Sequence, residues 1–272
     1  MYESFFGFFE KPFSTTPNTH YLYPSVQHEG VIRILEHGIC ERKGFLLLVG
    51  EVGTGKTTST RELLKRLGDQ VQTSFIFNPL ISTLELLKTI NKDFGCEPLG
   101  ESIHDQLETL NAFLLNNDTQ GRTAVVVIDE AQNLSSETLE MARLLSNLET
   151  NTHKLLQILL VGQPELEEKL SEKHLRQIAQ RIQIYCKLFP LSFAETCHYV
   201  SFRLQKAGSS PLLAFEPVAL RELYKISGGI PRIINTICEL ALMSAYAQET
   251  RVITKHIIKE AAREAPIHVH YS

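Results

Sequence analysis

The run Phe45-Leu46-Leu47-Leu48-Val49 leads straight into Gly50-Glu51-Val52-Gly53-Thr54-Gly55-Lys56-Thr57-Thr58, and no other stretch restricts the fold as much. Five consecutive large apolar residues suit a strand buried on both faces. The turn after it matches G-x-x-x-x-G-K-[ST] in full, and a helical segment follows. Glycines there let backbone amides turn inward without Cβ clashes, and the helix N-terminus adds partial positive charge. Strand, loop and helix together form a cradle for phosphate. Gly50 to Thr58 line it. Lys56 reaches the β- and γ-phosphates, and the Thr57 hydroxyl is a ligand for Mg²⁺.

Further short apolar runs repeat the strand signal: 73–78, 124–129, 155–161 and 182–189. Helical segments are expected between them, near 57–67, 82–94, 103–117 and 135–149. A helix over 26–43 precedes the first run, with Val31, Ile34, Leu35 and Ile39 on one face. Alternation of this kind predicts an α/β fold with a central parallel five-stranded sheet flanked by helices. After Pro190 the strand signal stops. Segments 193–207, 216–226, 231–247 and 254–264 all read as helices. The expected domains are an aromatic N-terminal arm, 1–25, packed on a core; a nucleotide-binding α/β domain, 26–190; and a small helical domain, 191–272.

Composition sets outer limits. The 272 residues are 43% hydrophobic and 21% charged, as a soluble globular chain would be, with a net charge of -4. That charge gives no bulk attraction to nucleic acid or anionic lipid. The five cysteines form no CxxC pair and read as buried thiols of a reducing compartment. The start lacks a basic region and a small-residue cleavage site, so it is a poor signal peptide. No run of 18 apolar residues is present to span a membrane.

Val125-Val126-Val127-Ile128 ends in Asp129-Glu130. Two acids at the carboxyl end of a buried strand are costly without a cation. Asp129 is therefore expected to hold Mg²⁺, and Glu130 to polarise an attacking water. Leu159-Leu160-Val161-Gly162 likewise ends in Gln163. If that strand neighbours the phosphate-loop strand, Gln163 points between the γ-phosphate and Glu130. Arg181, with Arg176 in reserve, precedes the last strand, where a subunit edge can supply an arginine in trans. Gly228-Gly229-Ile230-Pro231-Arg232 opens a helix, and a cation at a helix N-terminus is unfavourable unless an anion lies near. No guanine-reading NKxD motif is present: Asn91-Lys92-Asp93 lacks the spacing. ATP is the expected nucleotide.

Taken in order, these segments resemble an AAA+ ATPase: Walker A, Walker B, sensor 1 at Gln163, an arginine finger, and the sensor 2 GxPR ending at Arg232. The arm "FFGFFEKPFSTTPNTHYLYPSVQHEGV", with "VIDEAQNL" and "LLQILLVGQPEL", resembles the ExeA/GspA family across essentially the whole chain. That family includes ATPases of type II secretion and MSHA pilus biogenesis and is related to the transposition regulators MuB and TniB. The resemblance implies a homo-oligomeric, hexamer-like ring and a helical lid over 191–272. It also implies an inner-membrane partner, and a cytoplasmic place peripheral to that membrane. It suggests an adenine-side role for Tyr21-Leu22-Tyr23, against the alternative of plain packing of the arm on the sheet.

Longer members carry a transmembrane segment and a peptidoglycan-binding domain after the ATPase. Neither is present in this sequence, so neither property is carried over. Two functions remain: a motor or switch in assembly of a secretion or pilus machine, and a DNA-binding ATPase of transposition. Residues 192–272 hold nine Lys/Arg against seven Asp/Glu, for +2, and the remainder is at -6. The absence of a strong basic stripe favours the first.

Overall fold

The computed structural model describes residues 2–16, 19–77, 79–98, 100–208 and 213–266. They fall into two units: Met1–Ser25 with Val52–Gly55 and Phe189–Ser272, and Val26–Glu51 with Lys56–Leu188. In chain order the first elements are α1 (Tyr2–Phe6), α2 (Val26–Cys40), β1 (Phe45–Gly50), α3 (Lys56–Leu67), β2 (Val71–Ile76), α4 (Thr83–Asp93) and α5 (Ile103–Thr119). Then come β3 (Thr123–Ile128), α6 (Ser136–Leu145), β4 (Leu156–Gly162), α7 (Pro164–Ser171), α8 (Arg176–Ala179) and β5 (Ile182–Leu188). The last are α9 (Phe193–Lys206), β6 (Ala214–Phe215), α10 (Pro217–Ser227), α11 (Pro231–Ala247), β7 (Val252–Ile253) and α12 (Lys255–Glu264).

The second unit is the α/β body. Its five strands are all parallel, in the order β2-β3-β4-β1-β5. Every residue of β1 and β4 is buried, as expected for central strands covered on both faces. The strand order inserts β4 between β1 and β3 and aligns all carboxyl ends on one edge, where ligands of open parallel sheets bind. Local signals set the helix starts. Ser82 with Glu85 and Ser102 with Asp105 form reciprocal capping boxes, and Pro164 opens α7. Glu29 of α2 receives a two-pronged pair from Arg66 of α3, both bonds 2.9 Å, and a further bond from Arg33. These guanidiniums hold its carboxyl down at about 2.

The first unit gathers both ends of the chain. Tyr2, Phe6, Phe8 and Phe13 share an apolar cluster with Tyr199, Leu223, Ile234 and Leu242. The alternative that packed the arm on the sheet is thereby corrected: the rings pack against apolar residues of α9 to α11. Arg203 of α9 pins the arm. Its Nε donates to the Pro12 carbonyl at 2.6 Å and its Nη2 to the Ser14 carbonyl at 2.8 Å. Its guanidinium also lies 4.5 Å from the Tyr21 ring centre. Tyr23 packs edge-on against Tyr199 and Phe202.

Several sequence expectations need correction. In α2, Ile34 is 51% exposed and Ile32 is buried in its place, so the stripe runs Val31, Ile32, Leu35, Ile39. The strand signal does not stop at Pro190: β6 and β7 form a two-stranded parallel pair, too short to show alternation in sequence. The cysteines are all free, but only Cys186 and Cys238 are buried, and Cys40 is exposed. Among the described residues, no helix is long and apolar enough to cross a membrane.

Gly229 marks a close approach inside the first unit. It sits at φ +77, its carbonyl accepts from the Leu191 N–H at 2.9 Å, and a Cβ there would lie 1.9 Å from the Leu191 carbonyl oxygen. Gly229→Ala combines left-handed strain with a backbone clash, and is expected to cost at least about 2 kcal/mol. Equilibrium denaturation checks this; an unchanged midpoint and slope would contradict the packing described.

Candidate nucleotide site

Three strands of the α/β unit end together, and each delivers a polar group. β1 runs into the phosphate loop at Gly50, β3 into Asp129-Glu130, and β4 into Gln163. β4 does neighbour β1, in register from Phe45↔Ile158 to Val49↔Gly162, which was the condition set for Gln163.

Lys56 opens α3 and is buried, 5% exposed. Its ammonium donates to the carbonyls of Gly50 at 2.7 Å and Glu51 at 3.1 Å. Burial pushes its pKa down, against the pull of the Glu130 and Asp129 carboxylates. Beside it the Thr57 hydroxyl donates to Asp129 Oδ2 at 2.7 Å. Asp129 is buried, and burial raises its pKa against that hydrogen bond and one from the Glu130 N–H. A hydroxyl and a carboxylate oxygen so close are hard oxygen donors of the kind Mg²⁺ takes, with nucleotide oxygens and water completing its shell. No cluster of three His, Cys, Asp or Glu able to hold a metal occurs among the described residues. A bound Mg²⁺ would neutralise charge on the phosphate oxygens. Thr58 follows within the first turn of α3, half-buried.

Glu130 stands at φ 52, a left-handed conformation uncommon for a residue with a side chain. Its Oε2 accepts from Gln163 Nε2 at 2.9 Å and from Gln132 Nε2 at 2.6 Å. Gln132 was not singled out in the sequence. The signal was its place two residues beyond Glu130, in the 3₁₀ turn Ala131–Asn133.

Val52, Gly53, Thr54 and Gly55 group with the helical unit. Gly53 and Gly55 lie at φ +82 and +102, as a loop with inward amides needs. In that unit Arg232, at the N-terminus of α11, donates its backbone N–H to the Gly53 carbonyl at 3.2 Å. A Cβ on Gly53 would lie 2.5 Å from Arg232 Cβ. The Arg232 side chain is exposed.

Arg181 and Arg176 are not gathered at this edge. Arg181 immediately precedes β5, whose Ile182 pairs with Phe45 at the amino end of β1, whereas Leu188 pairs with Gly50. At roughly 3.3 Å per residue, five steps of strand separate that end from the loop by about 17 Å. Arg181 donates to Ser146 Oγ at 3.1 Å and to Asn147 Oδ1. Arg176 is exposed at the start of α8.

Comparison with known proteins agrees with this geometry. A family model described as "AAA domain" matches residues 39–170. The general secretion pathway protein A of Aeromonas hydrophila is 44% identical over 97% of this chain, which spans 48% of that protein's length. The fold is shared with the Aeropyrum pernix ORC2 protein solved as ADPNP–ADP complexes, at a TM-score of 0.67 and 19% identity, covering 96% of this chain and 73% of that one. It is shared too with the Thermotoga maritima RuvB Holliday junction branch migration motor, at a TM-score of 0.58 and 16% identity, covering 88% and 68%. This is the P-loop AAA+ fold, with its helical segment after the sheet. A phosphate-loop motif, a paired Thr57 and Asp129, and an amide-held Glu130 thus agree with the sequence identity: the chain is similar over nearly its whole length to a general secretion pathway protein A, and over 39–170 to the AAA domain.

Proposed function

We propose that the chain binds ATP with Mg²⁺ and hydrolyses it, with Glu130 as the base that polarises the attacking water. The observation that carries this is the double amide clamp on Glu130 Oε2, next to the Thr57–Asp129 pair. Neutral donors, with a buried lysine close by, keep the carboxylate ionised and directed, so it can polarise a water without swinging into the phosphates. Lys56 and the amides of Gly50 to Thr58 hold the phosphates. Thr57 and Asp129 hold the metal, Gln163 senses the γ-phosphate, and Arg232 is the sensor 2 arginine.

The name of the Aeromonas relative places that protein in general secretion. Transferred to this chain, hydrolysis would drive or reset a homo-oligomeric ring during assembly of a secretion or pilus machine, with an inner-membrane protein as partner. The helical segment, at +2, lacks the basic stripe that the alternative of a DNA filament requires. In Glu130→Gln, ATP binding should persist while steady-state turnover falls by about 10²-fold or more. Full turnover in that variant would remove Glu130 from the mechanism. A salt-sensitive shift of duplex DNA by the ATP-bound protein would favour the transposition reading.

A further inference from the structure

The Gln132 amide is held at both ends. Its Nε2 donates to Glu130 Oε2, and its Oε1 accepts the backbone N–H of Gln163 at 3.2 Å. The opposite orientation would set an amide oxygen against a carboxylate and an NH₂ against an N–H, so the amide has one favourable setting. Room for it is made by Gly162, where a Cβ would lie 2.9 Å from Gln132 Oε1. The turn carrying Gln132 is fixed in its turn by Lys169 of α7, whose ammonium donates to the carbonyls of Gln132, at 3.0 Å, and Leu134.

Gln163 and Gln132 therefore hold the same carboxylate oxygen in different ways. Gln163 does so with the side chain proposed above to sense the γ-phosphate. Gln132 does so with an amide tied to the backbone of β4's end, a tie that does not depend on nucleotide. We propose that Gln132 is the positioning residue for Glu130: it keeps the carboxylate directed while the Gln163 side chain turns to substrate. This rests on the reading of Glu130 as the base.

The test compares Gln132→Met, similar in length but with neither donor nor acceptor, and Gln132→Glu, which keeps the acceptor for the Gln163 N–H. Both are made in the wild-type and in the Glu130→Gln background. Gln132→Met should lower kcat by about 10-fold or more, because a misdirected catalytic group loses rate steeply, with KM for ATP within about 2-fold. Gln132→Glu should lose more, since it sets a second carboxylate against Glu130. In single-turnover measurements on Glu130→Gln, adding Gln132→Met should change the residual rate less than 2-fold, because the group it acts through is already gone. Wild-type kcat in Gln132→Met, or an equal loss in both backgrounds, would overturn the positioning role while leaving Glu130 in place. Wild-type turnover in Glu130→Gln alone would overturn the base assignment, and this inference with it.

Discussion

Arg181→Ala should bind ATP nearly normally yet lose about 10³-fold or more of its hydrolysis, the scale of an arginine that stabilises transferring phosphoryl charge. The register of the sheet explains why this would be a shared-site effect. Arg181 sits at the amino end of β5 and the phosphate loop at the carboxyl end of β1, so the arginine does not reach its own loop. It borders a cavity of about 680 Å³ with Arg42, Lys154 and Glu149. Its bonds to Ser146 and Asn147 hold it there. Turnover of the wild type should rise faster than linearly with protein concentration until the oligomer forms. Mixing Arg181→Ala with Lys56→Ala should restore part of the activity, since an intact loop then meets an intact arginine. A mixture that stays inactive while mixed oligomers are shown to form would exclude Arg181 as the donated group, and Arg176 would be tested in the same way.

Lys56→Ala should weaken ATP binding by about 10²-fold or more. The ammonium is buried, and a charge-assisted contact to phosphate in such a place is worth more than one in water. It is also held in reserve on the Gly50 and Glu51 carbonyls, so little reorganisation is needed to turn it onto a phosphate. Calorimetry with ATP measures the loss, and a thermal melt close to wild type separates it from misfolding. Affinity equal to wild type would refute the role given to the loop.

The phosphate loop and the acid pair were legible in sequence because their chemistry tolerates few alternatives. Glycines at Gly53 and Gly55 answer to positive φ, and Lys56 opens the helix that the motif calls for. The five sheet strands were legible because each is a short apolar run, although the second was read at 73–78 and lies at Val71–Ile76. Gln132 was not legible: a half-buried glutamine has no periodicity, and its meaning depends on Gly162 of another strand making room. Neither was the destination of the arm. Phenylalanines demand cover, but the pattern does not say which surface supplies it, and Arg203 pins the arm from 191 positions away. The exposed Ile34 shows the same limit, since a stripe of apolar residues on α2 is wider than the face that neighbours cover.

The union of the arm with the segment after the sheet in one unit has a consequence for synthesis. The Tyr2 hydroxyl donates to Glu239 at 2.7 Å, across 237 positions. On the ribosome, the rings of Tyr2, Phe6, Phe8 and Phe13 emerge before the sheet unit, yet their partners on α9 to α11 come after it. At about 5–20 residues per second, the wait is roughly ten seconds to most of a minute. Throughout it the sheet unit can fold while the aromatic arm stays uncovered, a natural hold point for a chaperone and the stage at which nascent chains are most prone to stick to one another.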